Sequence, residues 1–152
     1  VLGTGNLKNQ LIEYIKSNHL NNLVHLKGKV LNVNDYLLDS HCFVLSSKTE
    51  GFPNVLLEAM AIGLPVISTN CMSGPLEILN DNEPVIINSE EFYLAKYGIL
   101  VNVDDHVALA KAIAFYRKND TIRKKYSNLG YEKAKTFNLP QIYEQVKALI
   151  NK

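Results

Sequence analysis

A chain of 152 residues, 47% hydrophobic and 20% charged, is long enough for one domain with a core of its own. A net charge of +1 leaves no global field to draw in nucleic acid or an anionic membrane. Two cysteines are too few for a disulfide framework, no apolar run reaches a membrane span, no signal peptide is expected, and the four histidines show no metal-ligand spacing. No metal and no cofactor is expected, and the setting expected is cytoplasmic, with Cys42 a small core residue and Cys71 a free loop thiol.

Val1-Leu2 reads as a strand end running into the glycine turn Gly3-Thr4-Gly5. Asn6 is placed to cap an amphipathic helix with Leu7, Leu11, Ile12 and Ile15 as its apolar stripe. A chain that starts at a strand end reads as a piece of something longer. The glycines invite the dinucleotide pattern G-x-G-x-x-G, but its third glycine is Lys8, and no Gly-Lys-Ser/Thr follows to make a P-loop. Leu23–Leu26 reads as a short strand, Gly28-Lys29-Val30 as a turn, and Asp35 to Leu38 as a single helical turn.

The middle of the chain is the most informative. Cys42–Leu45 is an apolar run of strand length, and Val66–Thr69 is a β-branched one. Between them, Pro53 suits a helix start and Gly63 the left-handed position past its end, so Asn54 to Ile62 is a helix and the whole is a βαβ unit. The helix is apolar on nearly every face, which predicts burial, and Glu58 stands in the middle of it. A buried carboxylate needs a hydrogen-bonding partner. Glu50 lies in the loop at the carboxyl end of the strand, where open α/β sheets bind ligands. Two carboxylates thus flank a helix start whose N–H groups, from Gly51 through Phe52 and Asn54 to Val55, suit an anion, with Glu58 about 7 Å along the axis from Pro53. A ligand with hydroxyls at both ends and a diphosphate between fits this layout, and a nucleoside-diphosphate sugar is such a ligand. The plain alternative is a surface loop and a core helix, with Glu58 satisfied by a neighbouring backbone group.

Downstream, Gly74-Pro75 opens a short helix with Glu77 in its first turn, where the helix dipole makes it a cap rather than a catalytic group. Asp81 to Glu91 is polar and irregular apart from Val85-Ile86-Ile87 and reads as an insertion that forms a small hairpin or lies across the rim. Ile99–Val101 is a strand. Asp104 or Asp105 caps a helix burying Val107, Leu109, Ala110, Ile113 and Ala114. Thr121 to Thr136 is a second, more exposed helix, entered through Asn119-Asp120, and Pro140 opens a last one with Ile142, Val146, Leu149 and Ile150 on one face. Strands alternating with helices predict an α/β, Rossmann-like three-layer sandwich with a mostly parallel sheet of about five or six strands.

Glu50 and Glu58, with seven residues between them, resemble the E-x7-E motif of retaining glycosyltransferases of the GT-B fold, family four. Glu-Gly-Phe-Pro, Leu-Glu-Ala-Met-Ala, Gly-Leu-Pro-Val-Ile, Ser73–Leu79 and Tyr97–Val101 match that family in the same order, over most of the chain. The resemblance implies that residues 1–152 are a single donor-binding domain, the C-terminal half of a GT-B enzyme, whose N-terminal acceptor domain lies outside the chain. It implies transfer of a sugar from a nucleotide-diphosphate sugar, expected to be a UDP-sugar, to an acceptor hydroxyl with retention, in bacterial surface polysaccharide, lipopolysaccharide or glycoconjugate synthesis. Glu50 would be the catalytic carboxylate, holding the transferred sugar, and Glu58 would hold the ribose. Gly51, Phe52, Pro53, Asn54 and Val55 would line the diphosphate. Gly3 and Gly5 would line the diphosphate or sugar, and Lys29 and Val30 would meet the base. No metal enters this scheme. The partners implied are the nucleotide sugar and the acceptor domain of the same protein, which would bring the whole to the inner face of the membrane. The family's Arg and Lys that neutralise the leaving phosphate come before Gly3 and are not in this chain, so the chain alone is expected to transfer nothing. The runner-up readings are a GT-B half of a sugar-nucleotide epimerase or glycogen-type synthase, and a non-catalytic nucleotide-binding module.

Overall fold

A computed structural model of the chain describes residues 1–138. The helix expected from Pro140, with Ile142, Val146, Leu149 and Ile150, lies outside the described residues. The rest forms two compact units, the first Val1–Tyr36 and the second starting at Leu37.

In the first unit, helix α1 runs over Lys8–Ser17. Of the expected stripe only Ile15 is buried; Leu7, Leu11 and Ile12 are exposed. Asn6 does not cap: the residue before the helix is Leu7, with no side-chain cap. The strand expected at Leu23–Leu26 does not form. Its first residue is drawn into a turn, with the Leu23 and Val24 N–H groups donating to the Leu20 carbonyl at 2.9 Å. What remains is an isolated parallel bridge, Leu2 to Gly28, too short to make a ladder. The single helical turn read at Asp35 to Leu38 is α2, Val33–Leu38.

The second unit holds the sheet. Strands β1 (Phe43–Leu45), β2 (Val66–Thr69) and β4 (Ile99–Val101) are parallel, and β3 (Phe92–Leu94) pairs antiparallel with β4, giving the order β1-β2-β4-β3. Among the described residues the sheet therefore has four strands rather than five or six. The register sets Phe43 beside Val66 and Ile67 beside Ile99. Helix α3 spans Asn54–Ala61, α4 Pro75–Asn80, α5 His106–Lys118 and α6 Asp120–Lys135. Side chains alternate across each strand, and those of β2 and β4 are buried on both faces, as a parallel sheet covered on both sides requires. Ile67, Ile99 and Val101 pack with Ala108, Ala112 and Tyr116 of α5 and Tyr126 of α6. Fully burying one such side chain is worth about 1.5–3 kcal/mol. Gly98 is forced: a Cβ there would stand 2.9 Å from Cγ2 of Val66 and 3.1 Å from Cδ2 of Leu79.

Asp81–Glu91 does not form the small hairpin, one of the two expectations for it; the hairpin that follows is made by β3 and β4. Residues 81–91 contain no strand, and Ile86 is 92% exposed. Their far end is tied to the chain after β4: the Asn102 side-chain amide donates to the Ile87 carbonyl at 2.9 Å, and the Glu90 N–H to the Asp105 carboxylate at 2.7 Å. Asp105, one of the two caps considered, accepts from the Ala108 N–H at 2.8 Å, and these two N–H bonds hold its carboxyl below the usual range. Cys42 is half-buried, and burial pushes its thiol up to about 12 against the pull of Arg123. Cys71 is a free thiol in the loop after β2, as expected, and it is buried.

Candidate functional site

The parallel strands end on one rim, at Leu45, Thr69 and Val101, and the loops leaving it are tied to one another. The Thr69 hydroxyl donates to the Ser47 carbonyl, the Asn70 N–H donates to the Val101 carbonyl at 2.7 Å, and Thr49 bridges Met72 in parallel. Lys48 Nζ pairs with Asp104 at 2.8 Å. Gly74 carries φ +93, and a Cβ on it would fall 2.2 Å from Cδ of the buried Pro53. Only glycine lets the loop after β2 come so close to the residue that precedes α3. Pro53 itself is the cap position and α3 begins at Asn54.

Glu50 is half-buried in this loop, and Glu58 is about 6 Å along α3 from Asn54. Here one expectation is corrected: Glu58 is exposed rather than buried. Leu56, Ala59 and Met60 enter the core, while Asn54, Glu58 and Ala61 form the exposed stripe of α3, at the four- and seven-residue spacing of one helical face. An exposed carboxylate needs no internal partner, so the desolvation argument for one falls away. Neither the Glu50 nor the Glu58 carboxylate has a hydrogen bond or ion pair among the described residues.

The amides between them are not all open. The Asn54 N–H turns back to the Phe52 carbonyl and the Leu56 N–H to the Pro53 carbonyl, each at 2.9 Å. Those of Gly51, Phe52 and Val55 donate to no acceptor among the described residues. Three unclaimed donors thus stand at the start of a helix, in the stretch between two unpaired carboxylates, and such donors are chemically suited to an anion.

The remaining candidates belong to the first unit. Gly3, at φ +111, donates its N–H to the Gly28 carbonyl at 2.8 Å, which brings the two glycine turns together. The Gly5 carbonyl accepts from the Lys8 N–H at 3.1 Å. Lys29 is exposed and Val30 half-buried.

Comparison with known proteins gives this arrangement its class. The family model for glycosyl transferases group 1 matches residues 1–136. The chain belongs to that family and has the fold of the C-terminal domain of its GT-B members. It is 37% identical to a glycosyltransferase of Methanocaldococcus jannaschii whose activity is uncharacterized, over 99% of this chain and 41% of that one. It is 32% identical to a Campylobacter jejuni 4-alpha-N-acetylgalactosaminyltransferase acting on an undecaprenol-diphosphate-linked glycan, over 93% of this chain and 35% of that one. The chain thus spans well under half the length of these curated relatives. Among solved structures, Anabaena HepE in complex with UDP superposes with a TM-score of 0.78 at 18% identity, over 99% of this chain and 39% of that one. The C-terminal domain of a group 1 glycosyltransferase from Francisella tularensis superposes at 0.69 and 23% identity, over 86% of this chain and 62% of that one.

Two contacts at the rim escaped the sequence reading. The approach of Gly74 to Pro53 was signalled only by a Gly-Pro pair, which a short helix start explains equally well. The ring of Phe137 lies 5.9 Å from that of Phe52, far away in the chain and without any local signal.

Proposed function

We propose that this chain is the donor half of a retaining glycosyltransferase that takes a UDP-sugar. The observation that carries the reading is the trio of unclaimed amides, Gly51, Phe52 and Val55, set between the unpaired carboxylates of Glu50 and Glu58. The UDP in the HepE complex and the N-acetylgalactosaminyl transfer named for the Campylobacter relative support the choice of donor.

In this scheme the three N–H groups and the α3 dipole hold the diphosphate. Glu58 accepts hydrogen bonds from the ribose hydroxyls and Glu50 from hydroxyls of the sugar being moved. As the bond from the anomeric carbon to the phosphate oxygen breaks, negative charge grows on the leaving diphosphate. Donors already pointing at it stabilise that charge without reorganising. An acceptor hydroxyl then bonds to the anomeric carbon on the face the diphosphate left, and its proton goes to the leaving phosphate oxygen. By the family resemblance, Gly3 and Gly5 would meet the diphosphate or sugar, and Lys29 and Val30 the base. The acceptor belongs to surface polysaccharide or glycoconjugate assembly at the inner face of the membrane.

Calorimetric titration with UDP and UDP-sugars tests this. Glu58→Ala is expected to weaken nucleotide binding by about 1–3 kcal/mol, the cost of leaving ribose hydroxyls unpaired. Glu50→Gln is expected to weaken UDP-sugar binding while leaving UDP alone unchanged. Equal binding by wild type and Glu58→Ala makes Glu58 a surface residue and ends the proposal.

A further inference from the structure

Between the Thr49–Met72 bridge and the Pro53–Gly74 contact, the loop that carries Glu50 has little backbone bonding of its own, since the Gly51 and Phe52 amides are unclaimed. The side chain of Phe52 supplies the hold. Its ring meets that of Phe137 at 5.9 Å, tilted by 50°, a geometry in which aromatic rings attract. Phe137 stands just past α6, in a turn closed by its own N–H to the Ala134 carbonyl at 3.1 Å and by the Thr136 hydroxyl to the Lys133 carbonyl at 2.7 Å.

That ring is fixed in turn. Lys133 Nζ lies 5.2 Å from the centroid of Phe137 and 5.1 Å from that of Tyr97, within cation–π range of both. The Lys133 side chain is 14% exposed, and its ammonium donates to Asp81 at 2.6 Å. The Tyr97 hydroxyl donates to the same carboxylate at 3.1 Å, and Lys96 does so at 3.2 Å. Contacts therefore run from Asp81 to Lys133, to Phe137, to Phe52. They join the far end of α4 to the loop that Gly74, at the near end of α4, touches through Pro53.

We propose that Phe137, held by Lys133 and Asp81, is a positioning residue that sets the Gly51–Val55 amides for the donor diphosphate. The proposal rests on the donor-site reading above, and its test separates the two. In the 15N-labelled chain, hydrogen exchange at the Asn54 and Leu56 amides reads loop order without any ligand, and UDP titration reads the site. Phe137→Ala is expected to speed exchange at both amides about tenfold, to leave the Ile99–Val101 amides as they are, and to weaken UDP binding about fivefold. Phe137→Tyr, which keeps the ring, is expected to restore both. Should Phe137→Ala fail to fold, Phe137→Leu carries the same comparison. Unchanged exchange at Asn54 and Leu56 in the folded variant overturns the proposal. Absence of UDP-induced shifts at Gly51, Phe52 and Val55 in the wild type overturns the donor reading instead, and the exchange result still decides the role of Phe137.

Discussion

At Gly74 two constraints meet in one residue. Its φ of +93 is in the region L side chains rarely adopt, and the space where a Cβ would go is already filled by Pro53. Gly74→Ala therefore pushes on Pro53, the cap of α3, and is expected to shift the amide of Val55 with it. A melting temperature lowered by several degrees is expected, together with UDP affinity weakened at least fivefold. Loss of stability with unchanged affinity would mean that the loop tolerates the shift. Glu58 teaches the complementary lesson. Its position in the motif was legible, because the spacing to Glu50 is a property of the string. Its exposure was not, because a helix of Val, Leu, Ala and Met looks apolar all round even though Asn54, Glu58 and Ala61 leave one stripe open.

Among the elements, α4 depends on how it ends. Asp81 takes a left-handed conformation at its C-terminus, φ 53 and ψ 35, which Asp tolerates better than most residues. The hydrogen bond from Lys133, helped by Lys96 and Tyr97, holds its carboxyl below the ordinary value of 3.8. A folded-state value below the unfolded one means that the stabilisation is complete above pH 3.8 and is lost as pH falls through the folded value. Asp81→Asn keeps the left-handed tolerance and removes the charge. It is expected to cost roughly 1 kcal/mol at neutral pH, allowing for solvent screening of a partly exposed group. Urea unfolding curves of the two proteins should converge as pH drops below about 4; a gap that stays constant in acid would deny the ion pair its role. Element types were legible where pattern and punctuation agreed, as in β2 and in α3 between Pro53 and Gly63. They failed where a strand had no partner to complete a ladder, at Leu23–Leu26. Val85–Ile87 is more β-branched than Phe92–Leu94, but only the latter lies opposite β4 through the turn closed by the Ala95 N–H on the Gly98 carbonyl.

On the scale of the whole molecule, the alternation of strands and helices pointed to a parallel sheet, and the burial of β2 and β4 on both faces follows from it. The antiparallel β3 was hidden because pairing direction is decided by connection length, not by the strand's own residues. In the proposed scheme the rim, with its amides and carboxylates, is one wall of a reaction site. The chain spans 41% and 35% of the lengths of the two relatives described. Amides alone hold a diphosphate through neutral donors, without the charge-assisted bonds that Arg and Lys add. Residues 1–152 are therefore expected to bind UDP with a Kd on the order of 0.1–1 mM, about 4–5.5 kcal/mol of binding. In a product assay with UDP-sugars and simple sugar acceptors they are expected to transfer nothing, because the proposed scheme assigns the acceptor hydroxyl to a second domain and that positioning is worth several powers of ten in rate. Robust transfer by residues 1–152 would mean that the catalytic positioning resides in this rim alone, and that Glu50 does more than hold the sugar.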